Sequence, residues 1–314
     1  MEFSSGLTDP DHLIRAMAWG GRVRIVACDA TGIVNDLRRI HDASPVVSAA
    51  LGRLATGALL LASTLEKVTG REPMLTVEID GGGPAGRMLA TASPAGWVRA
   101  MVANPLATSR SKIPGKLNVA GVVGTDGELI VTRDVGSGEP FRGVVPIRTG
   151  EIARDLAQYL QDSEQVVSAV LLGVHVHPQL GIDHAGGLLV QLLPGVSQSQ
   201  AELLTARIQE LGALTSRMVD GAGPAVWLAE LFPEGAWILE HQEIEFRCGC
   251  SMKRVETALK LLGADEIKAI VEDCEGEPAV LGCGFCRTDY RVDRATLEAL
   301  LREIENEPTE RAAR

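Results

Sequence analysis

The sequence predicts an α+β protein: a β-rich N-terminal core with packed helices, a helical connector and a small C-terminal module that carries paired cysteines. Three observations predict it. Between Met74 and Ile147, five short β-favouring runs are separated by turn residues. Segments on either side repeat their apolar residues at helical spacing. After Pro194-Gly195 the pattern turns mainly helical and ends in two cysteine pairs.

Taken in order, Arg22–Ala27 alternates polar and apolar residues and reads as a strand. Cys28 closes it, as a buried thiol behaving like a small hydrophobe. Ser44 is an expected N-cap with Pro45 at the first helical position, opening a helix to about Lys67. Val47, Leu51, Leu54, Ala58, Leu61 and Leu65 form its core-facing stripe. The strands Met74–Ile79, Arg87–Ala92, Trp97–Ala103, Glu128–Arg133 and Phe141–Ile147 read as an antiparallel meander. Asp80-Gly81-Gly82-Gly83-Pro84 is a turn: it lacks the order of a phosphate loop and joins two strands instead of opening a helix.

Gly150–Gln161 and Ser163–Leu172 are expected helices. His175 and His177 share one face of a strand, and His184 follows. A solvated strand face is favoured there over a second metal site, because no Cys or carboxylate pair stands at ligand spacing. Neither G-x-S-x-G nor H-E-x-x-H occurs, so a hydrolase has no local support.

Ser199-Gln200-Ala201-Glu202 reads as a capping box before a helix whose Leu204, Ile208, Leu211 and Met218 share a face. Asp220-Gly221-Ala222-Gly223-Pro224 stops it. A short apolar helix, Ala225–Phe232, and the run Trp237-Ile238-Leu239 follow, and that much apolar surface must be covered or used. Lys253–Leu262 and Asp265–Asp273 read as helices and Tyr290–Val292 as a strand. Asp293 caps a last helix through Ile304, and Glu305–Arg314 is a polar tail.

Four of the six cysteines lie in Cys248-Gly249-Cys250 and Cys283-Gly284-Phe285-Cys286. Thiolates suit tetrahedral Zn²⁺, and two spaced pairs supply four of them. A structural disulfide or buried thiols are the alternatives. Gly249 and Gly284 are expected either at positive φ or giving room for N–H···S contacts. Cys274, in an acidic turn without a nearby partner, reads as a bystander.

A net charge of −11 disfavours general binding to a phosphate backbone. Met1–Pro10 lacks the pattern of a secretory signal, and the apolar run Ala55–Leu65 is too short to span a bilayer. A reducing, cytoplasmic setting is therefore expected, where paired cysteines mean metal or redox chemistry.

The C-x-C-S … C-x-x-C arrangement resembles that of the redox-regulated 33-kDa chaperonin family of bacterial cytosolic heat-shock holdases. Leu51-Gly52-Arg53, Gly81-Gly82-Gly83-Pro84, Ser163-Glu164-Gln165 and Gly186-Gly187…Gln191…Pro194 resemble the family's landmarks in the same order. Arg287-Thr288 and Cys274 depart from its pattern. The resemblance implies one Zn²⁺ per chain in the reduced form, held by Cys248, Cys250, Cys283 and Cys286. It implies an α/β chaperone core (residues 1–195), a helical linker (196–245), a zinc-binding redox switch (246–296) and a C-terminal helix and tail (297–314).

The implied function is that of a non-enzymatic, ATP-independent holdase for unfolded clients, off when reduced and on when oxidised. It admits a homodimer in the oxidised form and implies neither a nucleic-acid nor a membrane partner. Each pair is close enough to oxidise locally, as Cys248–Cys250 and Cys283–Cys286. The linker residues Trp227, Leu228, Leu231, Phe232, Trp237 and Ile238 are the expected client-binding surface. A zinc-ribbon nucleic-acid-binding protein and an enzyme with a structural zinc are the competing readings.

Overall fold

A computed structural model of the chain describes residues 10–66, 70–111, 113, 115–177, 179, 181–274 and 277–306. Lys67, most of Met1–Pro10 and most of the polar tail, on which expectations were placed, lie outside the described residues. The chain divides into two compact units, Met1–Arg247 and Cys248–Arg314.

The first unit runs β1 (His12–Ala18), β2 (Val23–Asp29), α1 (Thr31–His41), α2 (Pro45–Ala62), β3 (Met74–Gly82), β4 (Met88–Ala92), β5 (Trp97–Val102), α3 (Val119–Val123), β6 (Gly124–Asp134), β7 (Phe141–Pro146) and α4 (Ile152–Asp162). It continues with β8 (Ser168–His177), β9 (Gly181–Leu192), α5 (Gln198–Leu211), α6 (Leu214–Val219), α7 (Pro224–Leu231), β10 (Trp237–Glu243) and β11 (Glu245–Phe246). The second unit holds α8 (Met252–Leu262), α9 (Ala264–Asp273), β12 (Ala279–Gly282), β13 (Asp289–Val292) and α10 (Arg294–Asn306).

Two sheets organise the first unit. One has the order β10-β1-β2-β9-β8; the other has the order β11-β5-β4-β3-β6-β7. The expected meander is interrupted: after β5 the chain crosses through α3 and returns as β6 on the far side of β3. The glycine run permits that crossing. A Cβ at Gly81 would lie 2.6 Å from the Gly124 carbonyl oxygen, and one at Gly83 would lie 2.4 Å from Val123 C.

Helix α2 lies between the sheets, touching β3, β4 and β5 of one and β2, β8 and β9 of the other. Ser44 Oγ accepts from Val47 N at 3.3 Å, so the cap and the proline at N1 stand as expected. The helix is long and apolar enough to cross a bilayer, with mean hydropathy 1.6, but 89% of that window is buried inside the fold. The expectation of a single apolar stripe therefore gives way to burial on nearly every side. A Cβ at Gly52 would come within 2.5 Å of Val34 Cγ1, so α1 can pack this closely only on glycine.

The central strands of the five-stranded sheet are buried on both faces. Val26, Cys28 and Leu189 face the core around α2. Ile25, Ala27 and Val190 face a second core under α5, α6 and α7 with Leu204, Met218, Trp227, Leu231 and Phe232. Residues of the expected linker thus pack within the first unit, and its last part, Trp237–Glu243, is a strand antiparallel to β1. The capping box sits two residues earlier than expected: Ser197 Oγ accepts from Gln200 N and the Gln200 side chain from Ser197 N. Gly212 divides the expected single helix into α5 and α6.

The expected helix Ser163–Leu172 is corrected: Ser168–Leu172 belongs to β8. Its run Ala169-Val170-Leu171-Leu172 is continuously apolar, a pattern shared by buried helices and strands, and pairing with β9 decides it.

Candidate metal centre

The second unit is small. Its core consists of Leu259, Ile267, Val271, Ala279, Val292, Leu297 and Leu300. Strands β12 and β13 form an antiparallel hairpin in which Gly282 pairs with Asp289. The hairpin therefore carries Cys283 and Cys286 at its tip. Cys283 N donates to Thr288 O and Arg287 N to Cys283 O, both at 2.9 Å, which closes the tip into a tight knuckle. Cys248 and Cys250 precede α8, which starts where Ser251 Oγ accepts from Arg254 N at 3.4 Å.

The four Sγ atoms lie within 4.8 Å of one another. Cys248 and Cys283 are 3.7 Å apart, and Cys250 and Cys286 are 3.3 Å apart. A tetrahedron with metal–sulfur bonds of about 2.3 Å has edges of about 3.8 Å, so the group fits a divalent ion that takes four thiolates. Among the described residues it is the only group of three or more Cys, His, Asp or Glu arranged to hold one.

Two hydroxyls complete the site: Tyr290, which sequence reasoning missed, and Thr288, which it marked as a departure from the family pattern. Tyr290 Oη donates to Cys250 Sγ at 3.0 Å, and the Thr288 hydroxyl lies 3.2 Å from Cys286 Sγ. Their signal was the short strand after the second pair, which returns polar side chains to the ligands. Burial pushes the Cys248 thiol up to about 12. At Cys286, burial also acts upward, but hydrogen bonds from the Thr288 hydroxyl and amide bring it down to about 6. Positive φ in the knuckle falls at Arg287 (58°), not at Gly249 or Gly284, which corrects the first of the two roles expected of those glycines. Arg287, one of the two departures from the family pattern, thus occupies the left-handed turn position.

The remaining candidates are placed elsewhere. Cys274 caps the end of α9 and packs against the small core. Cys28 is fully buried in β2, and burial raises its thiol. His175 Nδ1 lies 2.6 Å from Asp183 Oδ1 and pairs across the ladder with His184 on a partly exposed face. Trp227, Leu228, Leu231 and Phe232 are buried, whereas Trp237 is 75% and Ile238 54% exposed. The structure brings the four candidate cysteines together but splits the six apolar candidates.

The chain matches the Hsp33 protein family over residues 11–293. It is 40% identical to a 33 kDa chaperonin of Clostridium botulinum (strain Eklund 17B), over 93% of this chain and 98% of that protein. It is 39% identical to a 33 kDa chaperonin of Bacillus velezensis, over 92% and 98%. A crystal structure of a 33 kDa chaperonin from Thermotoga maritima superposes with a TM-score of 0.84 at 31% identity, covering 93% of this chain and 98% of that one.

Proposed function

The chain belongs to the Hsp33 family of heat-shock chaperones, and from that premise we propose that it is an ATP-independent holdase switched by the redox state of Cys248, Cys250, Cys283 and Cys286. The observation that carries the proposal is four mutually adjacent thiols in a unit whose own core is only seven buried side chains. In the reduced state the four thiolates hold Zn²⁺, which supplies folding energy that so small a core lacks. The protein acts in the cytoplasm, where thiols stay reduced until stress.

The switch is thiol chemistry. A ligand thiolate attacks hydrogen peroxide, giving a sulfenic acid and hydroxide; a second thiol then displaces water to form the disulfide. Each pair consumes one peroxide and yields one water and one hydroxide, which solvent protonates to a second water. Sequence neighbours have the lowest closure cost, so Cys248 pairs with Cys250 and Cys283 with Cys286. Disulfide sulfurs no longer serve as thiolate ligands, and the module loses its support.

Clients then bind apolar surface released from the linker, residues 196–245. Trp227, Leu228, Leu231 and Phe232 are the switchable part, because they are buried while the thiols are reduced. Each is worth roughly 1.5–3 kcal/mol of burial, enough for several together to hold an unfolded chain. Trp237 and Ile238 are already accessible and extend that surface.

The test is aggregation suppression by reduced and oxidised protein, with zinc release and protease sensitivity of residues 196–245 followed in parallel. The expected result is suppression by the oxidised form alone, with disulfides mapped within each pair. Equal suppression by both forms, or Cys274 found paired with a ligand, would overturn the reading.

A further inference from the structure

The four clustered sulfurs of the second unit are alike in access but not in their neighbours. All four cysteines are half-buried, so exposure by itself does not rank them. The hydroxyls do. Tyr290 Oη donates to Cys250 Sγ at 3.0 Å, and the Thr288 hydroxyl lies 3.2 Å from Cys286 Sγ. Each pair thus has one member with a hydroxyl against its sulfur: Cys250 in the C-x-C and Cys286 in the C-x-x-C. Cys248 and Cys283 instead meet each other at 3.7 Å, with no Ser, Thr or Tyr hydroxyl in reach among the described residues.

The strand builds this asymmetry. Residues two apart on a strand share a face, and Thr288, Tyr290 and Val292 follow that period. The bond from Cys283 N to Thr288 O carries the ladder one step beyond the pairing of Gly282 with Asp289. Val292 is 1% exposed and turns the shared face into the small core. Packing at one end of the strand therefore aims both hydroxyls at the sulfurs from the other.

On the redox reading above, the four sulfurs are thiolates in the reduced protein. Ionisation then no longer separates them, and nucleophilicity does. A hydroxyl bonded to an anionic sulfur makes a charge-assisted hydrogen bond. That bond weakens as the sulfur gives its electron pair to an oxidant and loses its charge. The donor stabilises the resting thiolate more than the transition state, so it slows attack by that sulfur. In a metal-free thiol the same donor first favours ionisation, the opposite effect.

We propose that Tyr290 and Thr288 are positioning residues that divide each pair into an attacking and a resolving cysteine: Cys248 and Cys283 attack, Cys250 and Cys286 resolve. The inference rests on the redox reading of this site. An electron pair of Cys248 Sγ forms the S–O bond as the O–O bond of hydrogen peroxide breaks and hydroxide leaves; the sulfur is oxidised and the peroxide reduced. Cys250 Sγ then attacks that sulfur, forms the S–S bond and releases the sulfenic oxygen as water, with solvent supplying the proton. Cys283 and Cys286 act in the same way. The second step joins sequence neighbours, and their proximity offsets the restraint on the resolving sulfur.

The test uses full-length, reduced, zinc-loaded protein and its Y290F, T288V and T288S variants. A brief pulse of N-ethylmaleimide, followed by peptide mapping, gives the relative reactivity within each pair. Y290F should raise modification of Cys250 relative to Cys248 by about tenfold and leave the other pair unchanged. T288V should do the same for Cys286 relative to Cys283, and T288S, which keeps the hydroxyl, should not. Dimedone present during peroxide treatment should trap sulfenic acid at Cys248 and Cys283 in the wild type. In cobalt-substituted protein, Y290F should move the sulfur-to-metal charge-transfer band to longer wavelength. Circular dichroism and metal content check folding, and T288V, at an exposed position, carries the test if Y290F does not hold metal. A rise at all four cysteines together would mean a merely structural role and would overturn the assignment. So would unchanged ratios, an unmoved band, or trapping mainly at Cys250 and Cys286. Aggregation suppression by oxidised wild-type protein is read separately: if it is present while the ratios do not respond, only this assignment falls.

Discussion

A thiol must give up its proton before it binds a metal, and the ligands here begin from different positions. In the folded unit, hydrogen bonds from Thr288 draw Cys286 down to about 6 and burial pushes Cys248 up to about 12, a contrast that lasts only while that unit is folded. Brief alkylation at pH 7 in the first moments after chelation of reduced protein should therefore modify Cys286 before Cys248, and a metal-free unit that has fully unfolded should lose that order, as peptide mapping would show. Proton release also sets the pH dependence of metal binding: loading displaces the protons that the thiols hold in the metal-free chain, so affinity falls as pH falls. A competition titration with a zinc indicator between pH 8 and 6 should show affinity dropping by roughly tenfold per unit for each proton displaced. Cys274→Ser should leave metal content unchanged, whereas Ser at any of the four ligands should remove most of it.

Elements held by local chemistry were legible, and elements held by distant pairing were not. Ser44-Pro45 announced α2 because cap and proline act within one turn. Ser44→Ala should cost near the upper end of about 0.5–2 kcal/mol, since its hydroxyl also donates to Ala107 O. Urea unfolding at unchanged slope would measure the loss. Strand β8 was misread because a continuous apolar run carries no period, and only its ladder with β9 distinguishes strand from helix. The rearranged order β5-β4-β3-β6 was invisible for the same reason: strand order is a long-range property. The clustering of the four cysteines was readable from their spacing alone. The contact of Tyr290 was not, because it depends on the hairpin that folds it back, and Thr288 was marked only as a departure from the family pattern. The split of the apolar candidates was equally hidden. Trp227 sits on a helix against a sheet and Trp237 on a strand with its side chain in water, yet both lie in apolar sequence.

At the scale of the whole molecule, the two units differ in how they are stabilised. The first has two multi-stranded sheets and two extensive cores. The second has seven buried core side chains and a two-stranded hairpin, a combination that is marginal in water without a cross-link or metal. Structural zinc contributes on the order of 10–16 kcal/mol, more than the whole stability of many small domains. Removing the metal from reduced protein with a chelator should therefore unfold the second unit and loosen the linker, residues 196–245, while leaving α2 and the strands β1 to β9 of the first intact. Hydrogen exchange should show amides of α8, α9 and α10 losing protection by several orders of magnitude, with α2 and β2 unchanged. Restoring zinc should restore protection if the thiols have stayed reduced. Oxidation should give the same exchange pattern, but without recovery on adding metal until a reductant is supplied. If α8–α10 remain protected after complete metal loss, the unit folds on its own core. The switch would then have to act through the disulfides themselves, by a rearrangement of a folded unit.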